Sequence, residues 1–140
     1  MDAVPCGLLR PAALAASLLF VVAGCAGKRI YPVDGIVQYE DGTPALELAG
    51  GTISLESVAD LSNAAGEIQP DGTFRIQAPL GENGVPAGAY RVVILPPPGA
   101  DRRKPPIDPS YGRYQTSGIE ITVKEEPSKI TVTVRRPARG

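Results

Sequence analysis

The chain has 140 residues, with 14 Lys+Arg against 15 Asp+Glu and neither His nor Trp. That length fits one domain, and the missing imidazole excludes Ser-His-Asp and Cys-His catalysis, His metal ligation and a His proton shuttle. The near-neutral balance gives no field to attract nucleic acid, and 43% apolar content argues against disorder despite 16 Gly and 15 Pro.

Residues Pro11 to Ala23 read PAALAASLLFVVA, uncharged and preceded by Arg10. A basic flank, an apolar run of about 7–15 residues and small residues at its end describe an export signal. The run is shorter than the roughly 20 apolar residues needed to span a bilayer. It is apolar all round, unlike a core helix with one polar face. Its ending, Val22-Ala23-Gly24-Cys25, resembles the bacterial lipobox, in which small residues precede an obligatory Cys. The resemblance implies that the Cys25 thiol receives diacylglycerol, that residues 1–24 are removed as a lipoprotein signal peptide, and that the new amino terminus is acylated with a chain such as palmitate. Two or more chains anchor stably where one holds only marginally. An ordinary cleaved signal and an uncleaved anchor are the alternatives. Cys6 lies in the removed segment, so the mature chain holds only Cys25 and no internal disulfide. Residues 25–30 form a tether. Ala26 after the Cys weakly favours the outer membrane over the inner.

From residue 31 onward, period-two alternation predicts strands. The runs are Val33 to Tyr39, Thr52 to Glu56, a weak one at about Ala64 to Gln69, Thr73 to Ala78, Tyr90 to Leu95, Ile119 to Lys124 and Ile130 to Arg135. Turn chemistry separates them at Asp41-Gly42-Thr43-Pro44, Pro70-Asp71-Gly72 and Pro86-Ala87-Gly88. Glu125-Glu126-Pro127-Ser128 links the last two runs, which are expected to form a hairpin. No helix is predicted outside the signal. Tyr90 to Leu95 is apolar at nearly every position, which suggests a central strand covered on both faces. Seven short antiparallel strands predict an all-β fold, a seven-stranded antiparallel β-sandwich. Its expected core is Val37, Ile53, Leu55, Phe74, Ile76, Tyr90, Val92, Ile94, Ile119, Ile121, Val123, Ile130, Val132 and Val134.

Residues 96–118 read PPPGADRRKPPIDPSYGRYQTSG. A stretch of this length without strand pattern is uncommon in a compact domain, and its prolines make it stiff rather than floppy. Tyr111 and Tyr114 either pin this loop to the domain surface or form part of a ligand-contacting face.

Several stretches now carry a resemblance. Val33-Asp34-Gly35-Ile36-Val37 followed by Asp41-Gly42-Thr43-Pro44 is similar to an opening G-x-V and D-G-x-P. Asp71-Gly72-Thr73-Phe74-Arg75-Ile76 is similar to a D-G-x-F-x-[LIV] hairpin. Pro86-Ala87-Gly88-Ala89-Tyr90-Arg91-Val92 is similar to a P-x-G-x-Y-x-V strand entry. Ile107-Asp108-Pro109 through Ile119 is similar to a late loop feeding the penultimate strand. In order and spacing, residues 31–136 resemble the carboxypeptidase regulatory-like domain, a prealbumin (transthyretin)-type β-sandwich, as found in small planctomycete lipoproteins. Glu47 to Gly51 departs from that pattern, where a tighter Pro-x-x-Gly-Ala link is usual. The resemblance implies a module without catalytic residues. Residues 137–140 are a tail.

The residues themselves offer little chemistry. Asp41-Gly42 and Asp71-Gly72 lack the D-x-[DN]-x-[DN]-G run of a calcium loop and read as turn formers. Glu56 and Glu120 occupy outward strand positions, not facing sides of a glycosidase cleft. Arg102-Arg103-Lys104 and Arg135-Arg136 with Arg139 read as solvated charge, with an anionic headgroup or envelope polymer as the sharper alternative. The expectation is a non-catalytic, cofactor-free protein without a metal site. It is exported and lipid-anchored to a bacterial membrane through Cys25, with the domain in the periplasm or at the cell surface. It serves as a structural or protein-interaction module or, alternatively, binds carbohydrate or a small ligand. Its partners would be membrane lipid and a cell-envelope protein or polysaccharide, with no nucleic acid.

Overall fold

The computed structural model describes residues 29–138. The expected signal segment, Cys25, most of the expected tether, and Arg139 lie outside them. The chain is all-β. In order the strands are β1 (Ile30–Tyr31), β2 (Val33–Tyr39), β3 (Thr52–Ser57), β4 (Asn63–Glu67), β5 (Thr73–Arg75), β6 (Val85–Pro86), β7 (Gly88–Leu95), β8 (Glu120–Val123) and β9 (Ser128–Val134). A four-stranded sheet runs β4-β3-β7-β8, a three-stranded sheet runs β5-β2-β9, and β1 pairs with β6.

Alternation sorts each strand into an inner and an outer row. Val33, Val37 and Tyr39 of β2, Phe74 of β5 and Val132 and Val134 of β9 meet Ile53 and Leu55 of β3, Tyr90, Val92 and Ile94 of β7 and Val123 of β8 in one cluster. Strand β7 is central in its sheet, and Val93 on its other face is also buried, as its nearly continuous apolar run predicts. Of the expected core, Ile119, Ile121 and Ile130 are only partly buried and pack against the cluster from its rim. Leu48, Ile68 and Ile107 are buried in the cluster although they stand outside the alternating strands.

Several expectations are corrected. The last two runs do not form a hairpin: β8 pairs with β7, whereas β9 crosses to the other sheet and pairs with β2. The β2–β9 pairing is parallel over the whole of β9, so the strands are not uniformly antiparallel. Alternation reports which face of a strand is apolar, and it carries no information on which neighbour the strand takes. The Thr73 run ends as a strand at Arg75, and the weak run is shifted to β4.

Helical turns occur where the sequence predicts none: 3-10 turns at Leu46–Leu48 and Pro109–Gly112, and the single-turn α1 (Tyr114–Ser117). Their cause is local. Asp108 accepts a hydrogen bond from the Ser110 N–H, Pro109 fixes the first turn, and Gly118 closes α1 with φ +66°. Capping chemistry of this kind starts and stops a turn that is too short to show a 3.6-residue period.

Gly35 on β2 explains one close approach. A Cβ there would collide with the Ile130 carbonyl oxygen and lie 2.6 Å from Phe74 Cζ. Only glycine lets β5, β2 and β9 keep their inner row at this point.

Candidate functional site

The long loop is a packed element. Ile107 is 1% and Tyr111 5% exposed, and both belong to the core cluster. The Tyr111 hydroxyl accepts from the Arg135 backbone N–H at 3.1 Å and from Arg135 Nε at 3.3 Å. The Asp108 N–H donates to the Arg135 carbonyl at 3.1 Å. Tyr111 therefore pins the loop against the end of β9, with the residue 5% exposed.

Tyr114 stands differently. It is half-buried on α1, its hydroxyl lies 2.7 Å from Ser54 Oγ, and it donates to Asn63 Oδ1 at 3.3 Å. It lines a shallow polar cleft of about 540 Å³ with Arg91, Gln115 and Glu120. The structure thus separates the two tyrosines that the sequence grouped.

A larger open groove, about 1070 Å³, crosses the three-stranded sheet toward β4. Asp34, Arg75, Glu67, Gln77 and Lys129 supply its polar lining. Asp34 and Arg75 face each other across the β2–β5 register and form an ion pair at 2.9 Å. Both side chains are substantially solvated, so such a pair contributes at most about 1 kcal/mol. Alternation marks both residues as outward, but the register that joins them is not written in either strand. A third, more apolar cleft of about 560 Å³ lies under the prolines of the loop, between Leu95, Pro97 and Arg102.

At the far end of β2, Tyr39 is 2% exposed. Its hydroxyl donates to Glu47 Oε2 at 2.8 Å, with the Pro106 carbonyl at 3.3 Å, and Arg136 stacks on its ring at 3.8 Å. Burial, reinforced by the Glu47 carboxylate, pushes the phenol up to about 12. Arg136 also reaches Asp41 at 3.5 Å. Arg135 and Arg136 thus hold internal partners, while Arg102, Arg103 and Lys104 are exposed side chains.

The aspartates of the turns are occupied by the turns. Asp41 Oδ1 accepts from the Thr43 N–H and hydroxyl at 3.0 and 2.6 Å, and Asp71 Oδ1 does the same with Thr73. Gly42 and Gly72 follow at φ +84° and +85°. The Thr hydrogen bonds hold both carboxyls below the usual carboxylate range. These are paired Asx-turns, as Asp-Gly-Thr predicts. Among the described residues no group of three or more His, Cys, Asp or Glu side chains could hold a metal ion, and no helix is long and apolar enough to cross a membrane.

No family model matches the chain, and no curated protein matches it. Among solved structures it is similar to the crystal structure of a DUF3823 family protein from Parabacteroides merdae. The two share 18% identity at a TM-score of 0.47, over 79% of this chain and 47% of that one. The chain thus spans about half the length of that protein.

Proposed function

We propose that the protein is a membrane-anchored, non-catalytic lipoprotein of a bacterial cell envelope, built as a prealbumin-type seven-stranded sandwich and acting as a structural or protein-interaction module. The observation that carries this reading is Val22-Ala23-Gly24-Cys25 at the end of an uncharged apolar run, a few residues ahead of the first strand at Ile30. Acylation of Cys25 places the lipid on the first residue of the mature chain, and residues 26–29 separate it from the β-domain. Membrane lipid is then one partner and a cell-envelope protein the other. The resemblance to carboxypeptidase regulatory-like domains supports a module that binds rather than reacts. A fatty-acid probe tests the anchor. The wild-type chain takes up label and Cys25→Ser does not; label retained by Cys25→Ser contradicts the reading.

A second reading rests on the cleft beside Tyr114, where Arg91, Gln115 and Glu120 offer hydrogen bonds next to a half-exposed ring. That combination suits a carbohydrate or another small polar ligand. Glycan-array binding that disappears in Tyr114→Ala would favour it, and binding that survives the substitution would remove this site from consideration.

A further inference from the structure

The two larger sheets end in edges of unequal character. Strand β8 is a short edge, four residues long, whereas β9 runs for seven. On one side β9 pairs with β2, and the Ser128 N–H donates to the Pro32 carbonyl at 2.9 Å. In a parallel ladder that bond fixes which residues turn inward: Ser128, Ile130, Val132 and Val134 bond to β2, and Lys129, Thr131 and Thr133 aim their N–H and C=O groups away from it. Among the described residues nothing hydrogen-bonds the backbone of those three from the open side. The next residue of the same row, Arg135, is closed off, because Tyr111 takes its N–H and Asp108 its carbonyl. At the other end Pro127 has no N–H to offer. The open row is therefore bounded at both ends.

We propose that β9 pairs antiparallel with β9 of a second copy of this chain, with Thr131 on the twofold axis. This deepens the interaction-module reading by naming the partner, and it rests on that part of the reading and not on the lipid anchor. The register is selected by the groups available. With Thr131 opposite Thr131, Lys129 lies opposite Thr133, and each facing pair exchanges two hydrogen bonds. A shift of two residues either way brings Pro127 or the occupied Arg135 into the ladder and leaves open groups unused. Antiparallel pairing also sets Glu125 and Glu126 of one copy near Arg135 and Arg136 of the other, whereas parallel pairing would place like charges together. On the inner face, half-buried Ile130 gains Val132 of the second copy as a neighbour. The contact is isologous and closes on itself, so it gives a dimer and not a fibre. The outer row of Thr131 and Thr133 suits a cross-strand pair, and Lys129 is the sole charge within the strand that guards the edge.

The test is sedimentation velocity of the full chain, extracted in a mild detergent, over a range of concentrations. The wild type is expected to sediment as a dimer that weakens in high salt. Thr131→Pro removes an N–H that β2 does not use, so it spares the fold and is expected to sediment as a monomer. Thr122→Pro, the matching change on the outward row of β8, is expected to remain dimeric. A wild type that is monomeric at every concentration overturns the proposal, while leaving an interaction with some other protein open to pulldown. A dimer that survives in Thr131→Pro, or one lost in a folded Thr122→Pro, also overturns it. Should Thr131→Pro lose its strand circular dichroism, Thr131→Cys decides. Mild oxidation is expected to join two copies of the tryptic peptide 130–135 through position 131, detectable by mass. Absence of that linked peptide overturns the proposal.

Discussion

At the residue scale the strongest constraints come from a few groups with one geometry open to them. Gly35→Ala would force a methyl into the Ile130 carbonyl and the Phe74 ring. A loss of about 1–3 kcal/mol follows from overpacking of this kind, and a urea melt measures it; an unchanged midpoint would show that β2 and β9 can move apart. Tyr39 is expected to ionise near 12 in an absorbance titration, against the usual value near 10. The shift favours the neutral phenol in the folded state. Its stabilisation is therefore complete below pH 10 and lost as the pH rises through 12. The Asx-turn carboxyls act in the opposite sense. Asp71 is held low by Thr73, so its contribution is present above the ordinary carboxylate range and lost as the pH falls through the lowered value. Asp71→Asn is expected to flatten the acid limb of a melting-temperature series, and an unaltered limb would contradict the assignment.

At the element scale, strands were legible in the sequence and their partners were not. Ile119-Glu120-Ile121-Thr122-Val123 and Ile130-Thr131-Val132-Thr133-Val134 alternate without fault; β8 takes up the first run from Glu120, and β9 covers the whole of the second. Yet the short link between them carries the chain from one sheet to the other, because a period of two reads a face and never a neighbour. The Asp-Gly-Thr turns were legible because the Asp side chain, the glycine φ and the Thr hydroxyl all act within three residues. Leu48, Ile68 and Ile107 were not, since each is buried by contacts distant in sequence. The same logic separates Tyr111 from Tyr114: only the position of the β9 end beneath the loop buries one ring and leaves the other half-exposed. Amide exchange should rank the elements. The inner amides of β3 and β7, central in the four-stranded sheet, are expected to exchange slowest, and those of the β8 edge several-fold faster.

At the scale of the whole molecule, the loop of residues 96–118 is packed into the same core as the sheets. Ile107 is buried in the common core, and the Tyr111–Arg135 bonds tie the loop to the end of β9. Ile107→Ala is expected to cost about 2–5 kcal/mol, as for other buried large-to-small changes. It should lower a single unfolding transition and not create a second one; a separate early transition would mark the loop as an appendage. In the proposed account the mature chain begins at Cys25 and holds no other cysteine. In that account the cysteine has one task, which is to carry lipid. The most direct measurement is the mass of the amino-terminal tryptic peptide, residues 25–28, from protein extracted from the membrane fraction. The account predicts a chain beginning at Cys25 and carrying diacylglycerol and an amide-linked acyl group. A chain that begins elsewhere, or an unmodified Cys25, would contradict it.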